Sequence, residues 1–258
     1  MDFKDKYGKY ALITGASAGI GKEFAYILGE KALDLILVAR RDEKLKEIAE
    51  EIKNKHKVEC LVIKKDLTEE NSYKELFDLT IRYDIGLLVN NAGFGYYGRF
   101  INQNEEKLKD MLKLNVVTFA MLTRLFAEHF VKRGRGGIIL VSSLAAFQPT
   151  AGMAQYGATK GFELQLGEAL SEEIKGKNVD ITILCPGATV TEFQITAEGV
   201  PHSGMNARKV AMCAVNNLGR KVISIPGWQN KITGKLHRFL PRSFVRWATA
   251  RALSHYLK

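Results

Sequence analysis

The sequence predicts an α/β domain: a doubly wound, parallel, seven-stranded sheet with helices on both faces and a helical extension at the C-terminus. Three observations carry this. Short apolar runs near 10–13, 33–39, 58–63, 86–90, 137–142, 179–185 and 222–225 alternate with helix-length segments near 19–30, 42–55, 69–82, 104–132, 154–175 and 206–218. Such alternation implies right-handed crossovers and a parallel sheet covered on both sides. A glycine-rich turn, Thr14 to Gly21, links the first strand to the first helix. Finally, 258 residues with 46% apolar content bury a full core, and no Pro-rich or Gly/Ser-rich linker divides them. Residues 1–226 are read as one domain and 227–258 as an extension of it.

Tyr10-Ala11-Leu12-Ile13 reads as a short buried strand, and the helix after the turn places Phe24, Ile27 and Leu28 on one side. Between them the spacing is G-x-x-x-G-x-G. Glycines there let the backbone turn tightly and approach a pyrophosphate, which rests on the amides and dipole of the helix N-terminus. Thr14, Gly15, Ser17, Gly19, Ile20 and Gly21 are therefore candidate dinucleotide-binding residues. The second strand, Leu33 to Ala39, is almost continuously apolar, as a doubly covered strand should be; Asp34 is the exception and belongs at the strand's entrance. An acidic residue at the far end would accept from the ribose 2′-hydroxyl of NAD. The chain has Arg40 and Arg41 there, whose guanidinium groups suit a 2′-phosphate, with Ser17 as an added hydroxyl donor. NADP is the expected cofactor; two surface arginines at a strand exit is the plainer alternative.

Later strands end in further polar positions. Asp66 and Leu67 follow Val62-Ile63, and Asn90, Ala92 and Gly93 follow Leu87-Leu88-Val89. The helix from Glu105 carries an apolar stripe of Leu108, Met111, Leu112, Phe119, Leu122 and Phe126, and Asn115 falls on it. A buried amide there costs free energy unless its bonds are made, so a bond to neighbouring backbone is one account of it. Ser143 ends the run Ile138 to Val141, at the carboxyl edge where open α/β sheets bind ligands. Tyr156 and Lys160 lie four residues apart, on one face of a helix. The ammonium favours the phenolate, so Tyr156 is expected to exchange a proton nearer neutral pH than a free phenol. Pro186, Gly187 and Thr191 follow the strand Ile181 to Cys185.

Taken in order, these motifs resemble the short-chain dehydrogenase/reductase family in its compact form, from about residue 8 to 226. The resemblance implies a Rossmann fold and an NADP-dependent oxidoreductase that moves a hydride between nicotinamide and a carbonyl or secondary alcohol. It implies Asp66 on the adenine amino group, Asn90 supporting the adenine side and the central strand, and Thr191 on the nicotinamide carboxamide. Asn115 would kink its helix and hold a water linked to Lys160. Ser143 would bond the carbonyl oxygen, Tyr156 would be the general acid of reduction, and Lys160 would bias Tyr156 and hold the ribose hydroxyls. The phrases at 90–95 and 185–193 are similar to a branch containing long-chain 3-oxoacyl and 17β-hydroxysteroid reductases, which tilts toward a bulky hydrophobic ketone. Phe94, Phe147 and Phe193 are candidate substrate walls, as are Tyr96 and Tyr97, with ordinary packing as the alternative. The segment Glu192 to Asn206 falls at the family's lid. Pairing of the helices at 104–132 and 154–175 would give a homodimer. A non-catalytic NADP-binding sensor or scaffold is the other class of function the fold allows.

Cysteines 60, 185 and 213 have no metal-ligand spacing and the five histidines do not cluster, so no metal is expected. The charged first residues do not read as a secretory signal, no apolar run approaches the length of a membrane span, and a reducing cytoplasm is the expected location. Charge is concentrated at one end. Residues 199–258 hold eleven Lys or Arg and no Asp or Glu, although the whole chain carries only +10. Two basic amphipathic helices are expected there, separated by Pro241. One sets Ile232, Leu236, Phe239 and Leu240 against Lys231, Lys235 and Arg238. The other sets Phe244, Trp247, Leu253 and Leu257 against Arg242, Arg246 and Arg251. Packing on the body or on a partner subunit, contact of 228–258 with an anionic membrane, and attraction of an acidic acyl carrier all suit this pattern. Nucleic acid does not, because no reading motif accompanies the charge.

Overall fold

Each apolar run of the sequence becomes a strand. The computed structural model describes residues 3–193, 197 and 203–254. Strands β1 (Tyr10–Thr14), β2 (Asp34–Ala39), β3 (Cys60–Lys64), β4 (Ile85–Asn90), β5 (Gly136–Val141), β6 (Val179–Leu184) and β9 (Ile223–Ser224) form one sheet in the order β3-β2-β1-β4-β5-β6-β9. Every pairing in it is parallel. Two-residue strands β7 (Thr189–Val190) and β8 (Met205–Asn206) pair separately, the first just before and the second at the end of the segment read as a lid. Asp34 stands at the entrance of β2 as expected: it accepts from the Glu59 amide at 2.8 Å and pairs with Lys9 at 3.2 Å.

Helices cover both faces. On one lie α2 (Gly19–Glu30), α3 (Asp42–His56) and α8 (Ala207–Asn217), which bury Phe24, Ile27, Leu28, Ile48 and Val210. On the other lie α4 (Ser72–Thr80), α6 (Phe119–Arg133) and α7 (Ala154–Glu173), which bury Leu76, Phe119, Leu122, Phe126 and Leu164. Each such side chain contributes about 1.5–3 kcal/mol of transfer free energy. A short helix, α1 (Phe3–Tyr7), has no signature in its charged sequence. It is fixed by Tyr7, which is buried and donates to Asp180 at 2.9 Å. The Tyr7 backbone passes so close to β4 that a Cβ on Gly86 would overlap the Tyr7 carbonyl.

Three expectations are corrected. First, α5 (Glu105–Leu112), a π-helical turn (Lys113–Thr118) and α6 form one continuous helix of 29 residues, long and apolar enough by length and composition to cross a bilayer. Its apolar side lies against the sheet. Secondly, the π turn inserts an extra residue and rotates the stripe. Met111 and Asn115 are buried while Leu112 faces outward, as do Val117 beside it and Phe162 on α7, on the helices expected to pair between copies. Thirdly, the tail forms helices where expected, α9 (Trp228–Leu236) and α10 (Arg242–Ala252), but they do not pack on the body through the expected faces. α9 turns Gly234 toward Ile225 and Leu144, and α10 buries Val245. Ile232, Leu236, Phe239, Phe244 and Trp247 are exposed.

Candidate active site

The strand order reverses between β1 and β4, and the crevice beyond their carboxyl ends is where such sheets take ligands. A cavity of about 460 Å³ opens there, running from Arg40, Arg41 and Asp66 past the glycine turn to Tyr156 and Lys160. Its floor is the N-terminus of α2. Gly15 and Gly19 have φ of +68° and +53°, and a Cβ on Gly21 would overlap the Gly15 carbonyl. No side chain caps α2 and its first turn carries no acid, so its first amides are left to an anion.

The rim at β2 is cationic. Arg41 donates from Nε to Ser17 Oγ at 3.2 Å, and Arg40 lies 3.8 Å from Asp66. Arg41 and Lys44 both hold the Glu192 carboxylate, at 2.5 and 3.2 Å, and their hydrogen bonds keep its pKa below the usual range. These cations form an anion site as they stand. Lys44 was not singled out from the sequence, although it lies three residues beyond Arg41 at the start of α3; the approach of the 187–193 loop then sets Glu192 between the two. Asp66 lines the cavity with Leu67 but spends Oδ1 on Thr68, accepting from both its amide (2.9 Å) and its hydroxyl (2.8 Å).

Most predicted cofactor residues line this cavity: Gly15, Ser17, Gly19, Ile20, Gly21, Arg40, Arg41, Asp66, Leu67, Ala92, Gly93, Pro186, Gly187 and Thr191. Thr14 and Asn90 do not. The Thr14 hydroxyl accepts from the amides of Asn91 and Ala92, both at 2.9 Å, and so ties the end of β1 to the loop after β4. Asn90 donates to the Phe119 carbonyl at 2.9 Å and to Thr123 at 3.1 Å, fastening β4 to α6. Both support the site from behind.

Asn115 sits in the π turn, which is the local distortion expected of it. Its amide accepts from Phe94 N (3.2 Å) and donates to Phe94 O (2.9 Å) and to Thr159 (3.1 Å). The side chain therefore fixes the loop after β4 against α7. This is the bond to neighbouring backbone that the sequence offered as one account of a buried amide.

The catalytic end is assembled from β5 and α7. Ser143 leaves β5 in extended conformation, accepts from Ala145 N at 3.1 Å and lines the same end of the cavity as Tyr156. Tyr156 and Lys160 share a face of α7, with Lys160 Nζ 5.7 Å from the ring centroid. One expectation is corrected here. Burial drives the Tyr156 pKa up, against the downward pull of Lys160 and Ser143, and Glu163 adds a further push up. Lys160 donates to both oxygens of Glu163 and to the Val141 carbonyl. Glu163 was missed, although three residues beyond Lys160 is a helical neighbour position.

Phe94, Tyr97, Met153 and Phe193 wall the cavity beside Tyr156; the Phe193 ring lies 5.5 Å from the Tyr156 ring. Tyr97 N donates to Ala197 O at 2.9 Å, joining this wall to the lid segment. Phe147 is not part of the cavity. Its ring packs 5.6 Å from His237, in the three-residue 3-10 turn that follows α9, because the 144–147 turn faces the tail. Tyr96 also stays outside, under the Lys107 ammonium. Among the described residues no His, Cys, Asp and Glu cluster could hold a metal.

A sheet with a glycine-turn cleft at its switch point and a tyrosine for proton transfer defines an oxidoreductase using a nicotinamide dinucleotide, whose pyrophosphate the α2 terminus fits. The chain belongs to the short chain dehydrogenase family, whose model matches residues 9–199. It is 31% identical over 238 residues to a 7β-hydroxysteroid dehydrogenase of Mediterraneibacter gnavus, covering 90% of each chain. It is 27% identical over 252 residues to the inactive hydroxysteroid dehydrogenase-like protein 1 of Homo sapiens, covering 95% of this chain and 76% of that one. A solved structure from work on 7β-hydroxysteroid dehydrogenase stereoselectivity superposes with a TM-score of 0.90 at 27% identity, over 97% of this chain and 100% of that one. A short-chain dehydrogenase from Sphingobium yanoikuyae in complex with NADPH gives 0.82 at 29% identity, over 95% of each.

Asn115→Ala leaves the Phe94 amide and carbonyl without their side-chain partner, at a cost of about 1–3 kcal/mol. Urea unfolding is expected to show that loss, and a midpoint equal to the parent's would contradict it.

Proposed function

We propose that this protein is an NADPH-dependent carbonyl reductase for a bulky hydrophobic ketone, of hydroxysteroid or 3-oxoacyl type. The observation that carries the reading is that Ser143, Tyr156 and Lys160 line one end of a cleft whose other end is lined by Ser17 and Arg41, with Lys44 behind Glu192. When bound, the nicotinamide supplies the hydride. Ser143 would bond the carbonyl oxygen and stabilise the charge developing there, while Tyr156 gives that oxygen its proton. Arg41 and Lys44 would exchange the Glu192 carboxylate for the 2′-phosphate, one anion for another. Phe94, Tyr97, Met153 and Phe193 offer an apolar wall to the substrate. Similarity to a relative named 7β-hydroxysteroid dehydrogenase supports a large, rigid alicyclic ketone as the first class to try. A non-catalytic sensor is the weaker reading, since Ser143, Tyr156 and Lys160 all stand at the cleft.

We also infer that the tail face docks on an anionic bilayer. Trp228, Ile232 and Leu236 form an outward stripe on α9; Phe239 (83% exposed), Phe244 and Trp247 continue it, beside exposed Lys231, Lys235, Arg242, Arg246 and Arg251. Aromatic and aliphatic residues framed by cations suit the headgroup boundary. A second copy meeting this face symmetrically would bring like charges together, because residues 199–258 contain no acid.

Tyr156→Phe is expected to retain NADPH binding and to lower ketone-dependent NADPH oxidation by about 10²–10⁴-fold; unchanged turnover would remove the assignment. Arg41→Ala should raise the KM for NADPH on the order of tenfold or more while leaving NADH little affected. Equal changes for both cofactors would count against a 2′-phosphate site. Co-sedimentation with phosphatidylglycerol vesicles should occur at low salt, fade at high salt and in phosphatidylcholine vesicles, and be lost in a Trp228→Ser/Trp247→Ser variant. Absence of vesicle binding, with self-association that the same variant abolishes, would assign the face to a second copy instead.

A further inference from the structure

Tyr156, Lys160 and Glu163 lie along one stripe of α7. Glu163 is 0% exposed, and both its oxygens accept from Lys160 Nζ, at 3.0 and 2.9 Å. An ammonium has three N–H donors. The third reaches the Val141 carbonyl at 3.0 Å. A lone Lys160 would present a full positive charge to the phenol. Held face-on by a carboxylate, it presents a dipole, whose field falls off faster with distance. Burying a carboxylate is costly without a partner, and an apolar residue would fill the same space. The charge itself therefore calls for an account.

The titratable groups around Glu163 are few. On its own helix are Lys160 and Tyr156, with Glu168 further on, and beyond β6 lies the Cys185 thiol, which burial pushes up. The end of β5 contributes only the Val141 carbonyl and the Ser142 hydroxyl, which donates to the Lys160 carbonyl at 2.9 Å. From the π turn comes neutral Asn115, through Thr159.

We propose that Glu163 is a positioning residue that holds Lys160 and cancels its charge, keeping the Tyr156 proton in place for donation and setting the site for carbonyl reduction over alcohol oxidation. The inference rests on the proton-transfer role proposed above for Tyr156. Reduction needs Tyr156 to arrive protonated, give its proton to the substrate oxygen and regain one from solvent. Oxidation needs it already ionised, to accept the proton of the alcohol. Burial pushes the Glu163 carboxyl up to about 7 against the pull of Lys160. The counter-charge is thus present above that pH, the range in which a phenol ionises. Below it Glu163 takes a proton and Lys160 stands uncompensated, but there the phenol keeps its own proton.

Ionisation of Tyr156 is read on the protein without cofactor or substrate, as the ultraviolet difference between the chain and its Tyr156→Phe variant across a pH titration. The same difference is then taken in a Glu163→Gln background, which keeps the shape and removes the charge. The Tyr156 transition is expected about one to two pH units lower in that background. With a turned-over substrate, the pH at which reduction declines and oxidation rises should move with it. Glu163→Asp, which keeps the charge, should move the transition less. A transition at the same pH with and without the Glu163 charge overturns the proposal, because loss of a merely structural contact lowers rates without moving the titration. If Glu163→Gln does not fold, Glu163→Met, apolar and of similar length, is read in the same way. A shifted titration in a protein inactive on every carbonyl offered would keep the Glu163 assignment and fail the reductase reading alone.

Discussion

Between β1 and β4 the crossovers leave in opposite directions, so two neighbouring strand ends must part while their first residues remain paired. Thr14 and Asn91 govern that opening. The Thr14 hydroxyl accepts two amides from the loop after β4, and the Asn91 side chain donates back to the Thr14 carbonyl at 2.9 Å. The glycine turn, the loop wall at Phe94 and the mouth of the cleft all hang from this junction. Neither residue needs to touch a ligand to matter, since an open sheet binds at the place where its order reverses. Behind it Asn90 and Asn115 do similar work one layer deeper, each tying a strand end or loop to a helix through buried hydrogen bonds.

On that frame the site balances charge. At the outer end three exposed groups meet, Arg41, Lys44 and Glu192. An anion entering there would compete with a carboxylate of the protein itself. At the catalytic end the charges are buried and rigid. Breaking a buried ion pair by removing one partner typically costs about 3–5 kcal/mol. The Lys160–Glu163 pair is therefore both a structural clasp and an electrostatic setting for the phenol beside it. One charge group of the cleft is thus exposed and the other buried.

The tail follows a different logic. α9 reaches the body through small and polar positions: Gly234 against Ile225 and Leu144, and Asn230 so close to Gly187 that a Cβ there would meet its amide at 2.8 Å. Its large apolar residues point away. This helix abuts the loop that carries Pro186 and Gly187, so whatever covers the outer stripe presses on an element one step from the cavity.

Much of this was legible in the residues. Seven apolar runs, alternating with periodic helical segments, determined the strands and their parallel pairing, because backbone hydrogen bonding and the two-sided cover leave few other arrangements. The glycine spacing, Ser143, and Tyr156 with Lys160 determined the cleft and its acid–base group, since local geometry alone places them at strand ends and on one helix face. Other features came only with the tertiary structure. Glu163 is a helical neighbour of Lys160 in any sequence, but its burial, and hence the force of its charge, depends on β5 and β6 closing over α7. Arg41 and Lys44 share the Glu192 carboxylate only because a loop more than a hundred residues away reaches them. Phe147 leaves the cavity because the tail claims it. Leu112 turns outward because one π turn rotates the helix. Local chemistry therefore determined which groups are present at the site, while long-range packing decided which are buried, which are paired and so what protonation state they hold.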